Sequence, residues 1–478
     1  MRSDKMEISK KGKWSALTVI SVIQFILLLD ATVVNVALPK IKEDLGFTDS
    51  SLTWVVNAYL IAAGSLLLLG GKVGDAYGLT KIFKIGVLIF CTFSLIAAFS
   101  MNPIMLITSR TGQGIGEALA SATGLAMVSR LFPSGPERSK AFAIWSSLGG
   151  LGSIVGVLLS GILTDFLSWR WVFGINVPFI MIIYVAILFY IPIFKSKHKV
   201  KIDLKNALLL IFSVFLFALS IVGSGLENLF WLRLLLLAFS ILGVIFTLKR
   251  CKNSEKGIIP ARLMKKSPRI TGYIIVGILA INSGALFYLG VLILQNNLNL
   301  TPMQSGLAWL PFCIGFFPGL FLFQYINENS GSKKAAITGL TLAGIGFILF
   351  TIGIPVNNYW IGIFPPMLIT SIGFGCVAPV SQYLATLNLD EDDAGIGSGI
   401  TTTIQQLLQV VGVSVLASVA TTYSKNFDNK DFITQNGFIA AFIISVILII
   451  IGIIIVLANN KTLEDTHESV LLQSKKYS

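Results

Sequence analysis

Apolar blocks of about 20 residues recur from one end of the chain to the other, and only short polar segments separate them. A helix of that length spans the roughly 30 Å hydrocarbon core of a bilayer at about 1.5 Å per residue. Helices are required because backbone groups without hydrogen bonds are too costly in lipid. Charged residues make up 12% of the chain, against about 25% in soluble proteins. The sequence therefore predicts an all-α integral membrane protein.

The apolar blocks number fourteen and fall into groups of six, two and six. The first block, from Trp14 to Leu38, is longer than the core of a signal peptide and lacks a cleavage site of small residues, which indicates an uncleaved first span. We expect a six-helix N-terminal half, two inserted helices with basic flanks, a six-helix C-terminal half and a cytoplasmic tail, over residues 1–200, 201–268, 269–460 and 461–478. Two halves around an insert are typical of transporters built from repeats.

Basic residues are unevenly distributed between the two sides of the expected membrane. When the N-terminus is placed inside, most of the 36 Lys and Arg residues lie on inner segments, which satisfies the positive-inside rule and places both termini in the cytoplasm. Topology thus explains the formal charge of +13, and no nucleic-acid partner is expected. The largest clusters, Lys195–Lys205 and Lys249–Arg269, flank the inserted pair. We interpret them as charge facing anionic membrane lipid, with partner binding as the alternative.

The sequence lacks the residue groups that catalysis or metal binding requires. The two histidines, His198 and His467, lie in polar segments and the four cysteines lie far apart, so no metal site or disulfide framework is expected. No Ser/His/Asp or Cys/His set is available within the membrane, and no phosphate-binding loop occurs. We therefore expect neither an enzyme nor an ATP-driven pump. The alternatives from other classes are a passive channel and a membrane-embedded hydrolase or acyl transferase that uses Asp30 and Glu117 as acid and base.

Asp30 and Glu117 are the acidic residues, among 23, that lie well inside apolar blocks. A charge at that depth costs a few kcal/mol, so such a residue normally faces a cavity or a partner; a structural ion pair is the alternative. Arg110 is expected at a depth similar to that of Asp30, and Gln113 and Glu117 follow it along one helix face. This polar stripe resembles a proton ladder, in which Asp30, Arg110 and Glu117 couple proton movement. Glu117 has no equally close basic neighbour, so we expect it to be neutral at rest.

Several runs of residues form specific signatures. The first is Leu-Asp-Ala-Thr-Val-Val-Asn-Val-Ala-Leu-Pro, from Leu29 to Pro39. Further matches lie in the second, fourth and sixth spans: Trp54, Tyr59, Arg110, Gln113, Gly114, Gly116, Trp169, Arg170, Trp171, Phe173, Asn176 and Pro178. Together they resemble the fourteen-span drug:proton antiporters of the major facilitator superfamily. The resemblance implies a monomer in a bacterial plasma membrane that exports drug-like compounds by alternating access, driven by a proton gradient and without a cofactor.

The segment between the second and third spans resembles the loop motif of that superfamily through Gly71, Asp75, Gly78 and Lys81. Asp75 is expected to bind a basic partner such as Arg130 and thereby hold the inner side closed; a plain polar turn is the alternative. The gating loop is therefore assigned to Gly71, Asp75, Gly78 and Arg130.

The chain departs from the family pattern in two places. The loop has Ala76, Leu79 and Thr80 where basic residues are usual, which reduces its charge relay. In the fifth-span motif Val157 replaces the usual proline and Ser160 the usual glycine. These departures weaken the implication of proton antiport.

The substrate site is expected among polar and aromatic residues near the middle of both halves. The assigned residues are Asp30, Asn57, Gln113, Glu117, Asn282, Trp309, Phe312, Gln382, Gln405 and Gln406. A carboxylate can serve the proton and a cationic drug in turn, although each polar residue could instead form an interhelical hydrogen bond. The sequence thus predicts a proton-coupled multidrug exporter of amphipathic, aromatic or cationic compounds. Export of an endogenous lipid-like or metabolic compound is the alternative.

Overall fold

The computed structural model describes residues 10–132, 136–194, 204–222, 229–252, 267–386, 394–428 and 432–459. Within these ranges the chain forms fifteen α-helices, with short π and 3-10 turns and no strand, so the expected all-α fold is confirmed. The expected tail, 461–478, and most of the basic flanks of the inserted pair lie outside the described residues.

The helices are grouped here by the domain limits expected from sequence. The N-terminal helices are α1 (Lys10–Leu45), α2 (Asp49–Tyr77), α3 (Leu79–Ala98), α4 (Pro103–Leu131), α5 (Pro136–Phe166), α6 (Arg170–Gly174) and α7 (Asn176–Tyr190). The inserted pair consists of α8 (Leu204–Val222) and α9 (Phe230–Lys252). The C-terminal helices are α10 (Ser267–Leu292), α11 (Pro302–Ala308), α12 (Leu310–Gly353), α13 (Phe364–Thr386), α14 (Ala394–Phe427) and α15 (Gln435–Ala458).

The first helix continues beyond its apolar run and through Pro39. Proline removes one backbone hydrogen bond, but the buried side chain of Ile41 anchors the last turns. A turn at Gly46 (φ 73°) then leads to α2, whose first N–H groups are capped by Thr48. The end of the bundle where α1 stops is called the Leu45 face here, and the opposite end the Lys11 face.

Within the N-terminal half, α1 packs on α5, and α4 packs between α2 and α3. The crossing of α3 and α4 is close because glycines meet there. A Cβ atom on Gly116 would lie 2.5 Å from the backbone nitrogen of Phe90, and one on Gly86 would lie 2.7 Å from that of Ala120. Small residues of this kind let membrane helices approach closely. The polar stripe of α4 is thereby held at a fixed distance from its neighbours.

Small polar residues spaced seven apart lie on both inserted helices. On α8 these are Asn206, Ser213 and Ser220, and on α9 they are Ser240 and Thr247; all five are buried. The heptad spacing places each set on one face of its helix. The hydroxyls of Ser213, Ser220 and Thr247 donate to carbonyl oxygens of their own helix, so these residues join the pair through close packing, as where Gly243 meets Ser213. Helix α8 also packs on α2 and on α14, so the pair covers the seam between the two halves.

Helix α12 is 44 residues long, which exceeds the roughly 20 residues of one membrane crossing. Its backbone leaves helical geometry at Gly331, where φ is 85°. This positive φ is accessible to glycine at little cost, so two apolar helices meet there without an intervening loop.

Ten helical segments among the described residues are long and apolar enough to cross a membrane. The chain is therefore a multi-pass membrane protein, but the expected count of fourteen spans is not confirmed. Helix α4 is not among the ten although it has 29 residues, because Arg110, Gln113 and Glu117 reduce its apolar character. The two helices that meet at Gly331 count as one segment, Pro302–Val356.

The close helix crossing makes a testable prediction at Gly116. The variant Gly116→Ala should lower the free energy of unfolding by about 1–3 kcal/mol, because the new methyl group overlaps backbone atoms of α3. Thermal unfolding in detergent measures this change. Gly71→Ala is the matched control, since a Cβ there meets nothing within 4 Å. Equal stability of the two variants would contradict the packing described.

Candidate functional site

Asp30 lies at the centre of a buried polar network in the N-terminal half. Its Oδ2 accepts a hydrogen bond from Arg110 Nη1 at 2.6 Å, and neither side chain has exposed surface. Its Oδ1 accepts from Gln113 Nε2 at 3.1 Å and from Asn176 Nδ2 at 2.6 Å. Asp30 and Arg110, expected at a similar depth, therefore form an ion pair, and both carboxylate oxygens are occupied.

Arg110 is held by four groups besides Asp30. Its Nε donates to the carbonyl oxygen of Val55 at 3.0 Å, and its Nη1 donates to Gln113 Oε1 at 2.8 Å. Its guanidinium carbon lies 4.1 Å from the ring centroid of Tyr59 and 5.7 Å from that of Phe173. Such cation–π contacts are stronger where water is excluded. The positive charge is thus compensated by a carboxylate, a carbonyl and two rings, which ties α1, α2 and α4 together.

Glu117 lies two turns further along α4, at the interface between the halves. It is 2% exposed, and its Oε1 accepts a hydrogen bond from Gln406 Nε2 on α14 at 3.0 Å. Its Oε2 has no hydrogen-bond partner among the described residues. The hydroxyl of Tyr59 donates to the carbonyl oxygen of Leu27 at 3.2 Å and also interacts with the Glu117 carboxylate. Glu117 therefore has fewer hydrogen-bond partners than Asp30, and its partner Gln406 lies in the other half of the protein.

A second buried hydrogen bond joins the halves between Asn57 Nδ2 on α2 and Ser414 Oγ on α14, at 2.9 Å. Nearer the Leu45 face, Gln295 Nε2 donates to the carbonyl oxygen of Val36 at 2.8 Å. Helix α11 also packs on α5 at this face, where Gly161 meets Pro302. The two halves are therefore in contact at the Leu45 face.

The remaining expected substrate residues do not form one group with Glu117. Trp309 stacks on Phe287 with ring centroids 4.9 Å apart, and Phe312 packs edge-on against both rings. Asn282 is buried, and its amide donates to the carbonyl oxygen of Ile278 one turn earlier on the same helix. Its Oδ1 has no partner among the described residues.

Gln382 and Gln405 are exposed, unlike the rest of the expected substrate set. Gln405 is exposed although its neighbour Gln406 is buried against Glu117, because adjacent residues on a helix point in different directions. The expected set thus separates into buried polar residues on α1, α2, α4 and α14, an aromatic group around Trp309, the buried amide of Asn282 on α10, and two exposed amides.

The expected gating loop brings Asp75 and Arg130 together at the Lys11 face. Arg130 Nη2 donates to Asp75 Oδ1 at 2.8 Å, between partly exposed side chains. Gly78 has φ 99°, which only glycine adopts readily, and it joins α2 to α3. Gly71 faces open space.

The Major Facilitator Superfamily model matches residues 20–413 of the chain. The chain belongs to this superfamily. It is 31% identical over 416 residues to a puromycin resistance protein of Streptomyces alboniger, covering 86% of this chain and 82% of that one. It is 30% identical to a lincomycin resistance protein of Streptomyces lincolnensis, with coverage of 86% and 85%. A multidrug transporter protein of Bacillus subtilis is 26% identical, with coverage of 88% and 78%.

Among solved structures, the chain resembles a bacterial homologue of the human lysosomal transporter Spinster. The TM-score is 0.68 at 14% identity, and the match covers 96% of this chain and 99% of that one. This likeness supports the major facilitator fold. The superfamily match and the resistance-protein relatives identify the chain as a transporter rather than an enzyme, as expected from sequence.

Three residues of this major facilitator protein contact the network although they were not assigned to the site from sequence: Tyr59, Ser94 and Asn176. A fourth unassigned residue, Ser414, binds the expected site residue Asn57. Tyr59 and Asn176 lie in the family signatures, so the signature positions could have identified them. Ser94 accepts a hydrogen bond from Gln113 Nε2 at 2.8 Å. No sequence signal distinguishes Ser94 or Ser414 from other serines in apolar helices. The described residues contain no cluster of three or more His, Cys, Asp or Glu side chains that could hold a metal ion.

The buried ion pair makes a prediction about stability. The variant Asp30→Asn should lower the free energy of unfolding by about 3–5 kcal/mol, because Arg110 keeps its charge without a carboxylate. The double variant Asp30→Asn with Arg110→Met should recover part of that loss. Thermal unfolding in detergent measures both.

The matched control for this prediction is the exposed pair of Asp44 and Arg170, which has the same 2.6 Å contact at the Leu45 face. Asp44→Asn should cost about 0–1 kcal/mol, as exposed ion pairs usually do. A similar loss for Asp30→Asn and Asp44→Asn would contradict the burial assigned to Asp30.

Proposed function

We propose that this transporter exports amphipathic, aromatic or cationic drug-like compounds in exchange for protons. The observation that carries the proposal is the incompletely satisfied Glu117 at the contact between α4 and α14. A carboxylate in that position changes its interactions whenever the halves move, so its protonation is coupled to alternating access. The relatives named for resistance to puromycin and lincomycin, and for multidrug transport, support the cargo class.

The two acids have different roles in this proposal. Both oxygens of Asp30 are already bound, so Asp30 is not the first contact for cargo. Its carboxylate instead alternates between pairing with Arg110 and binding a proton. Glu117, which binds Gln406, serves the proton and the cationic part of a substrate in turn, together with Asn57 on α2 and Gln113 on α4. The aromatic group around Trp309 and Phe312 receives apolar rings. The pair of Asp75 and Arg130 joins α2 to α4 at the Lys11 face and contributes to closing that face.

We further propose fourteen spans, with the domain limits expected from sequence. Three long helices beyond the ten apolar segments support this count: α4, α5 and α8. The division of α12 at Gly331 supplies the remaining span. Most described basic residues lie at the Lys11 face, which supports a cytoplasmic location for that face and for both termini in a bacterial plasma membrane. The protein then acts as a monomer among membrane lipids, powered by the proton gradient.

The central experiment measures proton movement in inverted membrane vesicles when a lipophilic aromatic cation is added. Glu117→Gln and Asp30→Asn should each reduce the drug-induced proton flux to the level of vesicles without the protein. Asp44→Asn is the matched control on α1 and should retain wild-type flux. Wild-type flux in both carboxylate variants would refute proton coupling through these residues. Transport of a narrow set of endogenous lipid-like compounds, with no response to lipophilic cations, would favour the alternative cargo.

The topology makes a separate prediction. Reporter fusions after Lys84 and after Lys334 should both be active in the cytoplasm, whereas fusions after Asn102 and after Asn358 should be active outside. These four sites lie at alternating ends of helices on the two faces. Cytoplasmic activity of the fusions after both Asn102 and Asn358 would exclude the proposed arrangement.

A further inference from the structure

The contact between Glu117 and Gln406 leaves one atom unused on each side chain. Gln406 Nε2 donates to Glu117 Oε1 at 3.0 Å. Glu117 Oε2 and Gln406 Oε1 are both buried and have no hydrogen-bond partner among the described residues. Both groups are planar, and in each group the unused atom is joined to the same carbon as the atom in use. Rotation of the planar groups about their side-chain bonds can therefore bring the two unused atoms to face each other.

A proton on Glu117 Oε2 makes these two atoms complementary. A carboxylic acid has one O–H donor and a carbonyl acceptor, while an amide has N–H donors and a carbonyl acceptor. The neutral acid can thus donate to Gln406 Oε1 while its carbonyl oxygen continues to accept from Gln406 Nε2. The result is a cyclic pair with two hydrogen bonds that satisfies both unused atoms. An ionised Glu117 leaves both unsatisfied, because two oxygen acceptors cannot bond to each other.

Energies favour the protonated pair in this conformation. A buried polar atom without a partner is destabilising, and an ionised carboxylate without one is more so. A charge near the middle of a membrane helix adds to this cost unless a partner compensates it. The partner here is a neutral amide. Protonation therefore removes a buried charge and two unsatisfied atoms at once.

The charged groups around Glu117 do not supply the missing compensation. Asp30 on α1 and Arg110 on α4 act on Glu117 with opposite sign, and they are already paired with each other. Tyr59 on α2 has a hydroxyl that acts on Glu117 as a donor, but it directs its single proton to the carbonyl oxygen of Leu27. Helix α14 contributes Gln406, and the charged residues of α3 and α5 lie towards the ends of those helices rather than at this depth.

We propose that Gln406 is a positioning residue that reports the protonation of Glu117 to the C-terminal half through an acid–amide pair. The conformation with the Leu45 face closed is then the proton-loaded one, and loss of the proton breaks one of two hydrogen bonds and releases α14 from α4. This inference rests on the proposed function and deepens it. A proton taken up at an open Leu45 face favours closure of that face, and its release at the Lys11 face allows the return.

The experiment measures conformation and protonation on the same purified, full-length protein. Spin labels at Lys40→Cys and Asn299→Cys, exposed positions of opposite halves at the Leu45 face, report opening of that face by pulsed EPR. The four native cysteines are replaced by serine. Infrared difference spectra of the unlabelled protein report the C=O band of a protonated carboxylic acid. Both measurements are made as a function of pH.

The wild-type protein should show a short interlabel distance at low pH and a growing population with a longer distance as pH rises. Glu117→Gln should keep the short distance at all pH values, because two amides also form a two-hydrogen-bond pair. Gln406→Met should lose the pH dependence. The acid C=O band should disappear in Glu117→Gln and move to higher frequency in Gln406→Met, because its carbonyl oxygen loses a hydrogen bond.

Ser414→Ala is the matched control, since it removes the buried hydrogen bond between α2 and α14, which also joins the halves but has no titratable partner. It should lower the short-distance population equally at every pH and leave the pH dependence intact. The proposal is overturned if Gln406→Met retains the wild-type pH response. It is also overturned if the wild-type protein shows no Glu117 acid band where the short distance predominates, as it would if water satisfied an ionised Glu117.

Failure of the inference and failure of the proposed function give different results. If the protein does not exchange drug for protons, the vesicle flux is absent even in the wild type, whatever the EPR distances show. If exchange occurs but Gln406 has no reporting role, the wild-type flux is present and Gln406→Met keeps its pH-dependent distances.

Discussion

The arrangement of the N-terminal half depends on the cost of removing two charges from water. Asp30 and Arg110 are both fully buried, and each ion loses several kcal/mol of hydration at such a site. The loss is offset only where geometry and additional hydrogen bonds are good. Asn176 on α7, Gln113 on α4 and the Val55 carbonyl on α2 provide those bonds. The ion pair thereby links four helices. Both oxygens of Asp30 are occupied, whereas Arg110 Nη2 has no hydrogen-bond partner among the described residues.

Glu117 differs from Asp30 in a way that suits movement. Its hydrogen-bond partner comes from the other half of the molecule, 289 residues away in sequence, and one of its oxygens is unsatisfied. A group whose hydrogen-bond partners all lie in one half keeps the same partners when the halves separate. A group with a partner across the interface loses that hydrogen bond or becomes hydrated, so its protonation and the conformation influence each other. The two acids thus divide into one that stabilises a half and one that senses the relation between halves.

Much of this arrangement could be predicted from sequence, because lipid restricts the choices. Apolar blocks give the helices directly, and the rise per residue placed Asp30 and Arg110 at the same depth, where they pair. The Asp75 and Arg130 contact followed from the loop signature. The partner of Glu117 could not be predicted, since depth alone does not determine which residue of α14 faces α4. Gln405 and Gln406 were equal candidates in sequence, and only helix rotation, set by packing against α2 and α10, separates them.

Packing also explains how Gln406 reaches Glu117 past α2. At the crossing of α2 and α14, a Cβ atom on Gly64 would lie 2.9 Å from the Cβ atom of Gln406. Any larger side chain at position 64 would push α14 away, because real Cβ atoms do not approach so closely. The absence of a side chain at Gly64 therefore brings the Gln406 amide within hydrogen-bond distance of α4. A position with no functional group of its own thus determines whether the carboxylate of one half can contact the amide of the other.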